Sequence, residues 1–94
     1  MVRKIRAWAP NVTVGVHAHN DFGLATSVML SAITADATTV HTAVDALGAR
    51  AGNAATEEVA LNTELLLGVD TGVRLDRIYE VTRLAAELAK MPIP

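Results

Sequence analysis

Cysteine is absent from the 94 residues, so neither a disulfide nor thiolate chemistry is available, and stability has to come from packing or from a partner. Aromatic residues are scarce, at 3%, although 51% of the chain is hydrophobic. Much of that content is the 17 alanines, helix formers rather than bulky core-fillers, which points to closely packed helices on a sheet. No basic run occurs, and eight Lys and Arg against ten Asp and Glu leave a net charge of -2. Nothing is therefore built to neutralise phosphates or to hold an anionic membrane, and nucleic acid is not an expected partner. No stretch approaches the roughly 18 consecutive apolar residues of a membrane span. Arg3, Lys4 and Arg6 are not followed by an apolar signal core, so the expected location is cytoplasmic, with no membrane association. The length allows one domain and excludes a second independent one.

What is present is an ordered alternation of periods. Val2, Ile5 and Trp8 have helical spacing, stopped by Pro10. Residues 12–19, VTVGVHAH, read as a strand with Val12, Val14, Val16 and Ala18 on one face and Thr13, Gly15, His17 and His19 on the other. From Gly23 the period lengthens: Leu24, Ala25, Val28, Met29, Ala32 and Ile33 form one face of a helix. Residues 38–44 are a second β-branched run, and strand, helix, strand is a βαβ crossover with parallel strands. A loop rich in glycine and alanine spans residues 45–53, a helix begins near Ala55 with Glu57 and Glu58 in its first turn and runs to Gly68, and a last helix covers residues 75–89 before Pro92 and Pro94. No repeat, low-complexity stretch or linker interrupts this order. Two parallel strands cannot cover their own edges, so the sheet is expected to be completed elsewhere.

The chemistry concentrates in HAHND, residues 17–21, at the C-terminal end of the first strand. Histidines two apart on a strand face can offer two imidazole nitrogens to one divalent cation, with Asn20 and Asp21 able to orient the rings or hold a water. The alternative is two polar residues facing solvent. Parallel α/β proteins place their sites at the carboxyl ends of strands, which favours the metal reading. The loop after the second strand reaches the same edge. Its Asn53 carries a carbonyl oxygen suited to a hard cation, but on the residues alone the stronger reading is an N-cap of the following helix. Arg50 suits either a substrate carboxylate or a brace for the loop. His41 shares a face with Thr39 and Ala43; a partly buried histidine bonded between sheet and helix is the favoured reading, with substrate contact the alternative. Trp8 and Tyr79 read as helix packing residues.

The stretches VHAHNDFGLAT, residues 16–26, and LGARAGNAATEEV, residues 47–59, resemble the two C-terminal signatures of the pyruvate carboxyltransferase-like, or DRE-TIM, metallolyases. This family includes 2-isopropylmalate, homocitrate and citramalate synthases and 3-hydroxy-3-methylglutaryl-CoA lyase. The GVDTGV stretch, residues 68–73, and the helix after it continue the likeness.

The resemblance implies an α/β fold, a partial (β/α)8 barrel of one βαβ unit plus C-terminal helices. Residues 1–94 would then be the C-terminal segment of the barrel domain. It implies a divalent metal, Mg, Mn or Zn, held by His17, His19 and Asn53, with Asn20, Asp21 and Arg50 either binding substrate or supporting the metal ligands. The metal would chelate a 2-oxo acid and stabilise the alkoxide formed as an acetyl-CoA enolate adds, or the enolate released when the bond is cleaved. The implied partners are a 2-oxo acid, an acyl-CoA, and either another copy of the chain or the rest of the barrel.

Some features depart from the family. Its aspartate-arginine signature, source of the carboxylate ligand and a catalytic arginine, has no counterpart in these residues. Ala49 stands where the acyl-CoA synthases carry glutamate, Ala46 where glycine is frequent, and Ala43 where a small hydroxyl residue is common. Three readings stay open: a metal-binding segment of a carbon-carbon bond-forming synthase, inactive alone; a non-catalytic half-barrel that assembles as an oligomer; or a segment of a 4-hydroxy-2-oxovalerate-type aldolase or 3-hydroxy-3-methylglutaryl-CoA-type lyase.

Overall fold

The computed structural model describes residues 1–92; Pro94, read above as a chain-ending proline, lies outside the described residues. The elements follow in the order α1 (Val2–Trp8), β1 (Gly15–Val16), α2 (Ala25–Thr34), β2 (Thr39–Val40), a 3-10 turn (Val44–Ala46), α3 (Thr56–Leu67), a second 3-10 turn (Leu75–Arg77) and α4 (Ile78–Ala89). β1 and β2 are parallel, with Gly15 opposite Thr39 and Val16 opposite Val40. With α2 crossing between them, this is the expected βαβ unit.

The strands are shorter than the runs of residues 12–19 and 38–44 suggested. Among the described residues each has only the other as a ladder partner, and the chain leaves the ladder where that partner ends. Val12, expected on the buried face, is 52% exposed because it precedes the strand in the turn after α1. Beyond Val16 the extended chain finds different partners: His19 pairs antiparallel with Asn53, and Ala43 pairs parallel with Ala55. The loop of residues 45–53 therefore folds back onto the ends of both strands.

The core is small and sits on one side of this sheet. Ala25 and Met29 of α2 meet Ala54 and Val59 at the start of α3, and Val16, Ala18, Ile33 and Val40 pack around them. Leu24 and Val28, expected on the buried face of α2, are exposed because α2 touches the rest of the chain along a narrow strip. α3 ends as its sequence dictates: Gly68 takes a left-handed φ of 67°, and the Val69 N–H donates to the Thr63 carbonyl. The last helix opens with a 3-10 turn before α4. Its Ile78 and Ala85 are half-buried, whereas Leu88 is 77% exposed. No described helix is long and apolar enough to cross a membrane.

Candidate metal centre

Alternation along residues 14–19 decides where the histidines stand. Val14 is buried and Val16 and Ala18 are half-buried toward the core, which turns Gly15, His17 and His19 to the exposed face. The Nε2 atoms of His17 and His19 are 3.3 Å apart, and their rings meet edge to face with centroids 5.1 Å apart. Two nitrogens each about 2.0–2.1 Å from one tetrahedral ion are roughly 3.3 Å apart, so the pair has the span a shared cation requires.

Asn53 arrives at the same place by backbone pairing. Its bridge to His19 is reinforced by the Asn20 N–H, which donates to the Gly52 carbonyl at 2.8 Å. The side-chain amide donates from Nδ2 to the Leu47 carbonyl at 3.0 Å, and its Oδ1 is buried with no hydrogen-bond partner among the described residues. A buried amide oxygen left in this state is costly unless something else ligates it. The N-cap reading of Asn53 is overturned: α3 is capped at Ala55, with no side-chain capping bond, and Asn53 is spent on its own loop.

That loop holds Asn53 through close backbone contact. The Asn53 N–H donates to the Ala46 carbonyl at 3.0 Å. A methyl group at Gly52 would collide with that same carbonyl oxygen, and one at Gly48 with the Asn53 amide. Asp45, Ala46 and Arg50 all take positive φ, of 56°, 56° and 58°. Glu57 braces the turn by accepting the Asp45 N–H on its carboxylate at 3.1 and 3.3 Å. Left-handed backbone costs an L-residue about 1–2 kcal/mol, part of which glycine gives back as unfolded-chain entropy. Ala46→Gly is therefore expected to stabilise the chain by about 1 kcal/mol or slightly less, read as a higher urea midpoint at unchanged slope. A lower midpoint would contradict this account of the turn.

The remaining residues singled out from the sequence separate into different tasks. Arg50 binds Asp21 through Nε at 3.2 Å and the second guanidinium nitrogen at 3.5 Å, so it braces the two signature loops against each other. The Asn20 side chain accepts the Ala25 N–H at 3.1 Å and is committed to the first turn of α2. His41 was misjudged as a partly buried histidine between sheet and helix. It is exposed, on the face of His17 and His19, with its ring centroid 5.7 Å from that of His17. The signal that could have found it was the alternation of Thr39, His41 and Ala43, read in parallel register with Gly15, His17 and His19.

A family model described as HMGL-like matches residues 1–85. The chain belongs to the HMGL-like family. Among curated relatives of this HMGL-like chain, the 2-isopropylmalate synthase of Sulfolobus acidocaldarius is 46% identical over the whole chain, which spans 24% of that protein. The (R)-citramalate synthase of Methanocaldococcus jannaschii is 44% identical over 89% of the chain and 17% of its own length. The HMGL-like chain thus spans a quarter or less of these relatives. In fold it overlies 33% of an HMG-CoA lyase from Acenitobacter baumannii, solved with coenzyme A and 3-methylmalate, with 99% of its own residues, a TM-score of 0.78 and 23% identity. The βαβ unit and its helices therefore have the architecture of part of a (β/α)8 barrel.

In that setting the carboxyl ends of β1 and β2 are the face on which barrel sites are built. Among the described residues no group of three or more His, Cys, Asp or Glu side chains is placed to share an ion. Two imidazole nitrogens stand 3.3 Å apart, and the segment bridged to His19 carries the buried Asn53 amide oxygen. Such a set fits a divalent cation that receives further ligands from elsewhere.

Proposed function

We propose that this chain is the C-terminal, metal-binding segment of an enzyme that joins an acyl-CoA to a 2-oxo acid, in the manner of 2-isopropylmalate and citramalate synthases. The observation that carries the reading is the 3.3 Å separation of the His17 and His19 Nε2 atoms on the face turned away from the core. The identity of 44–46% to synthases supports synthase over lyase or aldolase, since the likeness to the lyase is one of fold.

The residues divide the work. His17 and His19 offer Nε2, Asn53 offers Oδ1, and the Asp21–Arg50 pair keeps the two loops that carry them in register. A divalent cation bound there supplies Lewis-acid stabilisation of the charge that develops on a ketone oxygen as a carbon nucleophile adds to it. Magnesium, manganese and zinc all suit a set of nitrogen and oxygen donors. Ala43 and Ala49 put no acid or base at their two positions on the edge of the site. By the family resemblance the acidic ligand and a catalytic arginine lie outside these residues, and the segment by itself is inactive. Exposed Leu65 and Leu66 on α3, each 70% exposed, and Leu88 on α4 need covering by the remaining barrel or by another copy.

Titrating the purified chain with zinc or manganese in a calorimeter is expected to show weak binding, because two imidazoles and an amide lack a charged carboxylate. Acetyl-CoA, a 2-oxo acid and magnesium with the same chain are expected to yield no free CoA above background. Absence of any metal heat would remove the metal-centre reading; measurable CoA release would show that the chain holds more of the catalytic machinery than argued.

A further inference from the structure

We propose that His41 is a substrate-binding residue of this site, its ring N–H donating to the carboxylate of the 2-oxo acid held in front of His17 and His19. The inference rests on the metal-centre reading above and adds to it the group that grips the substrate anion.

The His41 N–H donates to the Val16 carbonyl at 2.9 Å, one step past the Val16–Val40 pair, which sets its side chain beside His17 on the same exposed face. The rings of His17 and His41 stand edge to face with centroids 5.7 Å apart. The ring leans over Gly15: a Cβ at that glycine would lie 3.7 Å from the His41 Nε2. Gly15 lies two residues before His17 on the same face, so its bare backbone leaves room for an imidazole one layer deeper than the ligand pair. His41 is thus the floor of the site, and it is not grouped with His17 and His19 as a third ligand to one ion.

Chemistry follows from what the face still offers. Apart from the two ligand histidines, its polar side chains are those of Thr13, Thr39 and His41, and His41 is the one whose ring stands against a ligand ring. Arg50, the cation of the adjoining loop, is engaged by Asp21. Among the described residues no hydrogen bond holds the His41 ring, which leaves its N–H for a ligand. A 2-oxo acid that uses its ketone oxygen and one carboxylate oxygen on a cation keeps the other carboxylate oxygen as a charged acceptor. A hydrogen bond to a charged acceptor is shorter and stronger than one between neutral groups.

Calorimetry on the 94-residue chain separates the possibilities, first with zinc alone and then with pyruvate added to the zinc-loaded protein. His41→Ala is expected to keep the zinc affinity and to weaken pyruvate roughly tenfold to a hundredfold, with His41→Asn, which retains an N–H, recovering part of the loss. His41 is exposed, so both variants should show the circular dichroism of the parent. Unchanged pyruvate affinity in His41→Ala overturns the proposal, and so does lost zinc affinity, which would make the ring a metal ligand. Zinc binding without pyruvate binding in the parent sinks this proposal alone, whereas no zinc binding in the parent sinks the metal centre and this proposal together.

Discussion

Gly52→Ala is expected to destabilise the chain by roughly 3–5 kcal/mol, adding left-handed strain to an overpacked backbone contact. Gly52 has a φ of 85°, and the methyl group would be driven into the Ala46 carbonyl oxygen. That oxygen has little freedom to retreat, because it accepts the Asn53 N–H at 3.0 Å, while the Gly52 carbonyl accepts the Asn20 N–H at 2.8 Å. The strain therefore falls on the bond that closes the asparagine loop on itself and on the one that joins it to the histidine loop. A domain of this length has a total stability of only about 5–15 kcal/mol, so a large share is at stake. Gly68→Ala is the control: its φ of 67° is equally left-handed, but among the described residues nothing beyond its chain neighbours lies within 4 Å of the added methyl, and a loss of about 1 kcal/mol is expected. Urea unfolding of both variants checks the comparison. Equal losses would mean that the loop yields and that the close approach at Gly52 is not what holds the site together.

The double variant His17→Ala, His19→Ala is expected to lose zinc binding by at least about a hundredfold, since even outer contacts to a metal ligand are worth 10–100-fold. Both rings are on the exposed face and contribute nothing to the core of Ala25, Met29, Ala54 and Val59. The circular dichroism and unfolding midpoint should therefore match the parent, which separates loss of ligands from loss of fold. Undiminished binding in this variant would move the site elsewhere. Glu57 and Glu58 are then the next candidates, although Glu57 is engaged by the Asp45 N–H and Glu58 by the Thr26 hydroxyl at 2.6 Å.

Much of this was legible in the sequence because it depends on local periodicity. The two-residue repeat of Val14, Val16 and Ala18 against His17 and His19 places the imidazoles together whatever surrounds them, since alternation follows from strand geometry alone. The helices α2 and α3 and the βαβ order were readable for the same reason, and Gly68 marked the end of α3. The misreadings concern pairings across the chain. Asn53 looked like a helix cap because its sequence neighbours suggest one, yet a backbone bridge to His19, 34 positions away, sets its role. The sequence favours a partly buried histidine between sheet and helix at His41 because the register between strands is invisible until they pair.

What the sequence determined by itself was the elements, their order and the shared face of the two histidines, all properties of residues within a few positions of one another. Tertiary structure alone decided how long the strands run, which carbonyl Gly52 must stay bare to meet, and that Arg50 spends its charge on Asp21. It also decided that His41 lies over Gly15. Each of these is a contact between segments distant in the chain, governed by the space and hydrogen-bonding partners that the folded backbone brings together.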